Sequence, residues 1–278
     1  MRKYFVTSDV HGYYNELQDA LREAGFDKNN PEHIFVHCGD LLDRGSQPLE
    51  CLKFVNSLPK KQKILIRGNH EDLLEECLQR GQFYDYDISN GTVDTIIKLA
   101  TGQNREDVPL SYAQTIYYSL FYGFCTQVGA LPAYQKYIKS LVDYAEVGKY
   151  IFVHGWIPCE RDDPNPYHAR GVHFTFDPNW KTGDWETARW INGMDAWKQG
   201  VVIPDKTILC GHWHTSYGHS KIHKQGVEFI KKLDDIAIYD PFEDKGIIAL
   251  DACTAVSHKI NCVVLEVEEK TYEKTKEE

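Results

Sequence analysis

A basic excess is missing. The 278-residue chain carries 31 Lys+Arg against 41 Asp+Glu, a formal charge of −10 with histidine neutral. Sequence-independent duplex binding needs a cationic face, so stable nucleic-acid partners are set aside. A phosphorylated substrate is not, because a local site can reverse the global sign. Cysteine is sparse: eight residues, with no Cys-x-x-Cys pair. That argues against a disulfide scaffold and for reduced, mostly buried thiols such as Cys38, Cys210 and Cys262. Long hydrophobic runs are lacking too. The apolar stretch after Met1-Arg2-Lys3 stops before Asp9, short of a signal-peptide core. Residues 108–135 carry no formal charge, yet Pro109, Gln114, Gly123, Gln127, Gly129 and Pro132 make them too polar for a spanning helix. These absences lead to the expectation of a cytoplasmic protein with no membrane partner. Repeats and low-complexity linkers are also absent.

What is present is an alternation of strand-like and helix-like segments over the first 80 residues. Tyr4 to Ser8, His33 to Cys38 and Lys63 to Ile66 are apolar runs of strand length. Leu17, Ala20, Leu21 and Ala24 recur at helical spacing between the first two. Ser46 is a candidate N-cap ahead of Pro48 for a second helix, and a third opens near Asn69 with Glu71 and Asp72 at its positive end. This pattern predicts an α/β fold with partly parallel strands. Residues 82–146 read as a helical insertion, with helical stretches at Ile116 to Phe124 and Tyr134 to Val142. Further strands are predicted at 150–153, 207–210, 246–250 and 261–267, ahead of a polar tail at 269–278.

Polar residues collect where strands end, the place ligands occupy in open α/β sheets. The first strand runs into Asp9-Val10-His11-Gly12, where i, i+2 alternation in an extended chain would put carboxylate and imidazole on one side. The second runs into Gly39-Asp40-Leu41-Leu42-Asp43-Arg44-Gly45, and the third into Arg67-Gly68-Asn69-His70-Glu71. Phe152-Val153-His154-Gly155 and Gly211-His212-Trp213-His214 repeat the pattern. Mixed carboxylate, imidazole and amide donors suit divalent Mn, Fe, Zn or Ni, and one Asp can bridge two ions.

These five motifs, in this order, resemble the calcineurin-like metallophosphoesterase superfamily. Asp-Arg-Gly after Asp40, Glu after His70, and Ala249-Leu250-Asp251-Ala252-Cys253 are similar to its phosphoprotein phosphatase-like branch. That branch includes bacterial and phage serine/threonine phosphatases and the related symmetrical dinucleoside tetraphosphatases. The resemblance implies a four-layer α/β/β/α sandwich: one catalytic domain over 1–268, interrupted by the insertion. It implies two divalent metal ions, Mn first. Asp9 and His11 would hold one, Asp40 would bridge, and Asn69, His154 and His212 would hold the other. His214 is a further candidate ligand from the wider superfamily. His70 would protonate the leaving oxygen with Asp43 as its partner, and Arg44, Asn69 and Arg189 would contact the phosphoryl group.

Alternatives to Arg189 are Arg170 or a helix-surface role. Arg67 faces either the phosphate or the core, and Trp156, Trp185 and Trp190 line either a groove or the core. His168, His173, His219, His223 and His258 have no motif support. The implied reaction is attack of a metal-bridging hydroxide on a phosphomonoester. Phosphoserine or phosphothreonine in proteins is the first substrate class. A dinucleoside polyphosphate or another small phosphoanhydride is the alternative, and a non-catalytic scaffold the lesser one.

Overall fold

The computed structural model describes residues 1–108, 114–163, 165, 171–268 and 272–273. His168, Arg170 and most of the tail lie outside the described residues. The elements in chain order begin with β1 (Arg2–Thr7), α1 (Tyr14–Glu23), β2 (His33–His37), α2 (Pro48–Ser57), β3 (Lys63–Ile66) and α3 (Asn69–Arg80). Helices α4 (Asp85–Ser89), α5 (Thr92–Thr101), α6 (Gln114–Gly129) and α7 (Pro132–Ile138) follow. Next come β4 (Leu141–Val142), β5 (Ala145–Val147), β6 (Tyr150–Phe152), β7 (Cys159–Arg161), β8 (Phe174–Phe176), α8 (Trp185–Ala188) and α9 (Gly193–Lys198). The chain closes with β9 (Thr207–Cys210), β10 (Phe242–Asp244), β11 (Ile247–Ala249), β12 (Val263–Val267) and β13 (Tyr272–Glu273).

Two sheets carry the fold. One has the order β12-β1-β2-β3-β4, the other β10-β11-β9-β6-β5-β13. Their centres are parallel, β1-β2-β3-β4 in one and β6-β9-β11 in the other, and antiparallel strands pair at the edges. The layering follows from period-2 side chains. Tyr4, Val6, Ile34, Val36, Ile64 and Ile66 pack with Phe152 and Leu209, which fills the space between the sheets. Their neighbours Phe5, Phe35 and Leu65 turn outward onto Leu17, Leu21, Leu52, Leu74 and Ile97 of the helices. Ile151, Ile208 and Ala249 turn the other way, onto Trp156, Met194 and Phe242. Helix, sheet, sheet and helix are therefore stacked, with apolar side chains on both faces of β1, β2, β3, β6 and β9.

Three local details depart from the sequence reading. Helix α2 is preceded by Gln47, not Ser46, and no side chain caps it. Pro48 fixes the first turn instead. The run Tyr134 to Val142 splits: the helix ends at Ile138, and Leu141–Val142 pairs with β3. Ala145–Val147 joins the second sheet, so one strand and most of the other fall inside the stretch read as helical. Buried Ala145 and Val147 flank half-buried Glu146, the period-2 pattern of extended chain. Among the described residues, no helix is long and apolar enough to cross a membrane.

Candidate metal centre

The parallel strands β1, β2, β3, β6 and β9 all end at one edge. Just past these ends the chain leaves regular structure, and its backbone does so in a costly way. Ten non-glycine residues among the described ones have positive φ, and the list includes Asp9 (51°), His11 (50°), Asp40 (60°), Asp43 (68°), Arg44 (64°) and His212 (64°). Left-handed backbone at such residues costs on the order of 1 kcal/mol or more each, and it gathers where a structure must aim side chains. Asp9 and His11 therefore do not share a side by strand alternation, as the extended-chain argument expects. Two left-handed residues turn them in instead.

The turns bring nine expected residues together. Asp40 is buried and central. Its Oδ2 is 3.8 Å from His11 Nε2, and its Oδ1 is 3.4 Å from His154 Nε2. Asp9 Oδ1 is 4.0 Å from His11 Nε2. Asn69 Oδ1 is 2.7 Å from His154 Nε2 and 3.0 Å from His212 Nδ1. Two groups with converging ligand atoms result, His11/Asp40/His70 and Asp40/His154/His212, and Asp40 is common to both. His70 Nδ1 donates to Asp43 Oδ2 at 2.8 Å, an oxygen that Thr92 Oγ1 also donates to at 2.8 Å. Arg44 Nη1 donates to His11 Nε2 at 3.0 Å, and its Nη2 donates to His70 Nε2 at 3.1 Å.

The donor set fits two divalent cations. Each histidine of the set gives one ring N–H to a backbone carbonyl: His11 Nδ1 to Leu42 at 3.1 Å, His154 Nδ1 to Cys38 at 2.7 Å, and His212 Nε2 to Trp190 at 3.1 Å. That second bond fixes the ring orientation and directs the other nitrogen at Asp40 and Asn69. Burial, then His154, pushes His212 down to about 3, so its Nδ1 presents a lone pair to the Asn69 oxygen. A cation between them would satisfy both acceptors. Burial opposes the His154 cation as well, but Asp40 outweighs it and lifts His154 to about 10. Burial and then Asp251 hold the Asp9 carboxyl well above the usual range. His70 belongs to the first converging group, but its Nδ1 is committed to Asp43 and its Nε2 to Arg44.

Two candidates fall elsewhere. His214 is not in the cluster. Its Nδ1 donates to Ser216 Oγ at 2.9 Å, its Nε2 is 3.9 Å from Glu228 Oε1, and its ring packs on Trp213 and Phe229. Left-handed His212 breaks the alternation that would have put positions 212 and 214 on one face. Arg189 is also held away. Nη1 donates to Asp72 at 2.7 Å and Nη2 to Asp143 at 2.5 Å, both carboxylates beyond the cluster. Arg67 pairs with Asp72 and Glu75. Trp156 is buried in the core, while Trp185 and Trp190 are half-buried.

Sequence reasoning passed over three supports. Glu71, buried at the start of α3, accepts from the backbone N–H of Gly68 (2.7 Å), Asp40 (3.0 Å) and Leu41 (3.0 Å), and from Tyr137 Oη at 2.9 Å. It clamps two ligand loops together. Thr92 steadies Asp43. Asp251 is buried near Asp9 and lifted to about 6, mainly by burial. Only Glu71 and Asp251 carried a signal, as members of motifs.

Comparison with known proteins identifies the family. The profile of the calcineurin-like phosphoesterase family matches residues 2–239. The symmetrical bis(5'-nucleosyl)-tetraphosphatase of Buchnera aphidicola subsp. Baizongia pistaciae is 41% identical over 71 residues, covering 26% of this chain and 24% of that one. The enzyme of the same name from Psychromonas ingrahamii is 43% identical over 67 residues, covering 24% and 23%. Serine/threonine-protein phosphatase 1 of Salmonella typhimurium is 38% identical over 72 residues, covering 26% and 31%. The matched stretch thus spans about a quarter to a third of each curated relative. A solved structure provisionally named a diadenosine tetraphosphatase shares the fold, with a TM-score of 0.50 at 14% identity over 95% of this chain and 89% of that one.

Proposed function

This chain belongs to the calcineurin-like phosphoesterases, metal-dependent hydrolases, and from that premise we propose that it hydrolyses a dinucleoside polyphosphate at a dinuclear centre built on Asp40. The observation that carries the reaction is the pair of donor groups that share Asp40. Its two oxygens face different groups, so Asp40 would be the residue shared by both ions. Two divalent cations, manganese first, held by Asp9, His11, Asp40, Asn69, His154 and His212, would activate the attacking water and neutralise the phosphoryl oxygens.

The chain's own groups supply the rest. Arg44, exposed at the mouth, offers a planar fork of donors to phosphoryl oxygens. Asn69 has an amide N–H beyond the oxygen it turns inward. As the phosphorus–oxygen bond to the leaving group breaks, that oxygen takes a proton from His70 Nε2, with Asp43 holding the opposite face of the ring.

The substrate order differs from the one the motifs alone suggest. Phosphoserine or phosphothreonine in proteins remains the second reading, favoured by the similarity to the Salmonella phosphatase. The dinucleoside reading is favoured by the names of the other two relatives and by a cavity lined in part by Tyr144 and Trp185. The decisive experiment presents manganese-loaded protein with a phosphopeptide and a dinucleoside tetraphosphate at equal concentration. A preference of about tenfold or more for the tetraphosphate, roughly 1.4 kcal/mol in transition-state binding, upholds the first reading. The reverse preference installs the second, and no turnover of either leaves a scaffold.

A further inference from the structure

We propose that the cavity walled by Tyr144, Trp185, Lys181, Arg67, Asp143 and Arg189 is a nucleoside subsite that takes one end of the substrate. This inference rests on the dinucleoside reading above. The cavity has a volume of about 770 Å³, within the range of small-molecule sites and large enough for a base and ribose.

Two of its wall residues adjoin the segments that carry metal-centre residues. Arg67 lies two residues before Asn69, and its N–H donates to the Val142 carbonyl at 2.9 Å. Arg189 precedes Trp190, whose carbonyl accepts from His212 Nε2 at 3.1 Å. The 188–189 backbone also presses on Gly155, next to His154. A Cβ on Gly155 would meet the Ala188 oxygen at 2.5 Å and the Arg189 oxygen at 2.7 Å. Asp72, on the helix that opens with Asn69 and His70, accepts from Arg189 Nη1 at 2.7 Å. Arg67 and Arg189 thus tie the wall of the cavity to the segments that carry Asn69, His154 and His212.

Charge and shape then choose the ligand. Arg67 is matched by Asp72 and Glu75, Arg189 by Asp72 and Asp143, and Lys181 by Glu146. A wall of matched pairs has no surplus charge for a polyphosphate, so the uncharged part of the substrate belongs there. The aromatic groups suit a base. Trp185 is half-buried and stacks on Tyr144 at 5.1 Å and 11°, with Trp180 edge-on at 6.0 Å. This backing holds the Trp185 ring rigid, the condition under which aromatic–base stacking contributes most. The Asp143 side chain is 43% exposed and accepts at the rim, where hydroxyl or amino groups of a nucleoside would present donors.

The test uses manganese-loaded protein turning over 4-nitrophenyl phosphate, with adenosine 5'-diphosphate and inorganic pyrophosphate as competitive inhibitors. Wild type should bind the nucleotide at least tenfold more tightly than pyrophosphate. Trp185→Ala should reduce that ratio by about tenfold and Trp185→Phe should restore most of it. Thr182→Trp, at an exposed wall position that can take a large ring without disturbing the core, should reduce it likewise. Because the ratio compares two inhibitors on one protein, partial loss of fold cancels. A ratio near one in wild type, or one unchanged in Trp185→Ala and Thr182→Trp, overturns the subsite. If the tetraphosphate is hydrolysed well while the ratio ignores both variants, the dinucleoside reading stands and the subsite falls. If phosphopeptide is preferred while the ratio responds, the subsite stands and that reading falls.

Discussion

Arg44 Nη1 donates to His11 Nε2 at 3.0 Å, the nitrogen that faces Asp40 Oδ2 at 3.8 Å. The same guanidinium donates through Nη2 to His70 Nε2 at 3.1 Å. A cation on His11 needs the lone pair that Arg44 now uses. Arg44 and a cation on His11 would therefore compete for the same nitrogen. Arg44→Ala should then bind manganese several-fold more tightly by titration calorimetry, having lost a competing charge. Its kcat should fall by about 10²–10³, the usual cost of one positioned donor. Weaker metal binding by this variant would contradict the competition.

Protons compete with metal at the neighbouring position. Asp40 outweighs burial at His154 and raises it to about 10, so near neutral pH the metal-free ring carries two protons. Metal on Nε2 displaces one of them. The sign follows: affinity rises with pH, by as much as tenfold per unit from this proton alone, until about pH 10. Calorimetry in buffers of different ionisation enthalpy at pH 7 should count at least one proton released per chain on saturation. Zero release would mean His154 is already neutral.

Asp43 Oδ2 accepts from both His70 and Thr92 at 2.8 Å, which fixes the His70 tautomer. Asp43→Asn should matter in proportion to the need for a proton. Hydrolysis of phenyl phosphate, a poor leaving group, should lose about 10²–10³ in kcat, in the range of general-acid catalysis. Hydrolysis of 4-nitrophenyl phosphate should lose less than about tenfold. Equal losses on both esters would assign Asp43 to folding or metal geometry.

Glu71 accepts three backbone N–H groups and the Tyr137 hydroxyl. Glu71→Gln turns one acceptor into a donor facing donors, at a cost of about 2–4 kcal/mol. The melting temperature should fall by roughly 5–10 °C, and metal affinity with it, because the Asp40 and Gly68 loops lose their common anchor. Tyr137→Phe removes one bond and should cost only about 1 kcal/mol.

The strands and the donors were readable for different reasons. Alternation marked β1, β2 and β3, and their ends located Asp9, Asp40 and Asn69 without further help. The short strand Leu141–Val142 was hidden because its apolar run adjoins a helix and fits either period. His214 misled because the i, i+2 rule holds only for extended chain, and left-handed His212 interrupts it. Glu71 and Thr92 act through contacts 30 or more residues away, to Asp40 and Asp43, and no local pattern encodes a distant partner. Arg189 was expected at the phosphoryl group, but the carboxylates Asp72 and Asp143, far from it in sequence, decide where its guanidinium goes.

Gly211 gives the sharpest test of the centre's packing. Its N–H donates to the His154 carbonyl at 2.7 Å, so β9 cannot shift away from β6 at that point. A Cβ built there overlaps Ser8 Oγ and Asp9 Oδ2. Neither group can easily yield. Ser8 Oγ donates to the Cys38 carbonyl at 3.0 Å, and Asp9 accepts the His212 N–H at 3.1 and 3.0 Å. In Gly211→Ala the Asp9 carboxylate must rotate, which takes it from His11 while leaving Asn69, His154 and His212 in place. The variant should therefore bind one manganese per chain where wild type binds two, and kcat should fall at least about 10²-fold. Its melting temperature should rise less on adding metal than that of wild type. Gly123→Ala is the matched control, since nothing lies within 4 Å of a Cβ on that exposed helical residue. It should keep two cations and gain up to about 1 kcal/mol of stability. Two tightly bound cations in Gly211→Ala would show that Asp9 is not the first ion's ligand.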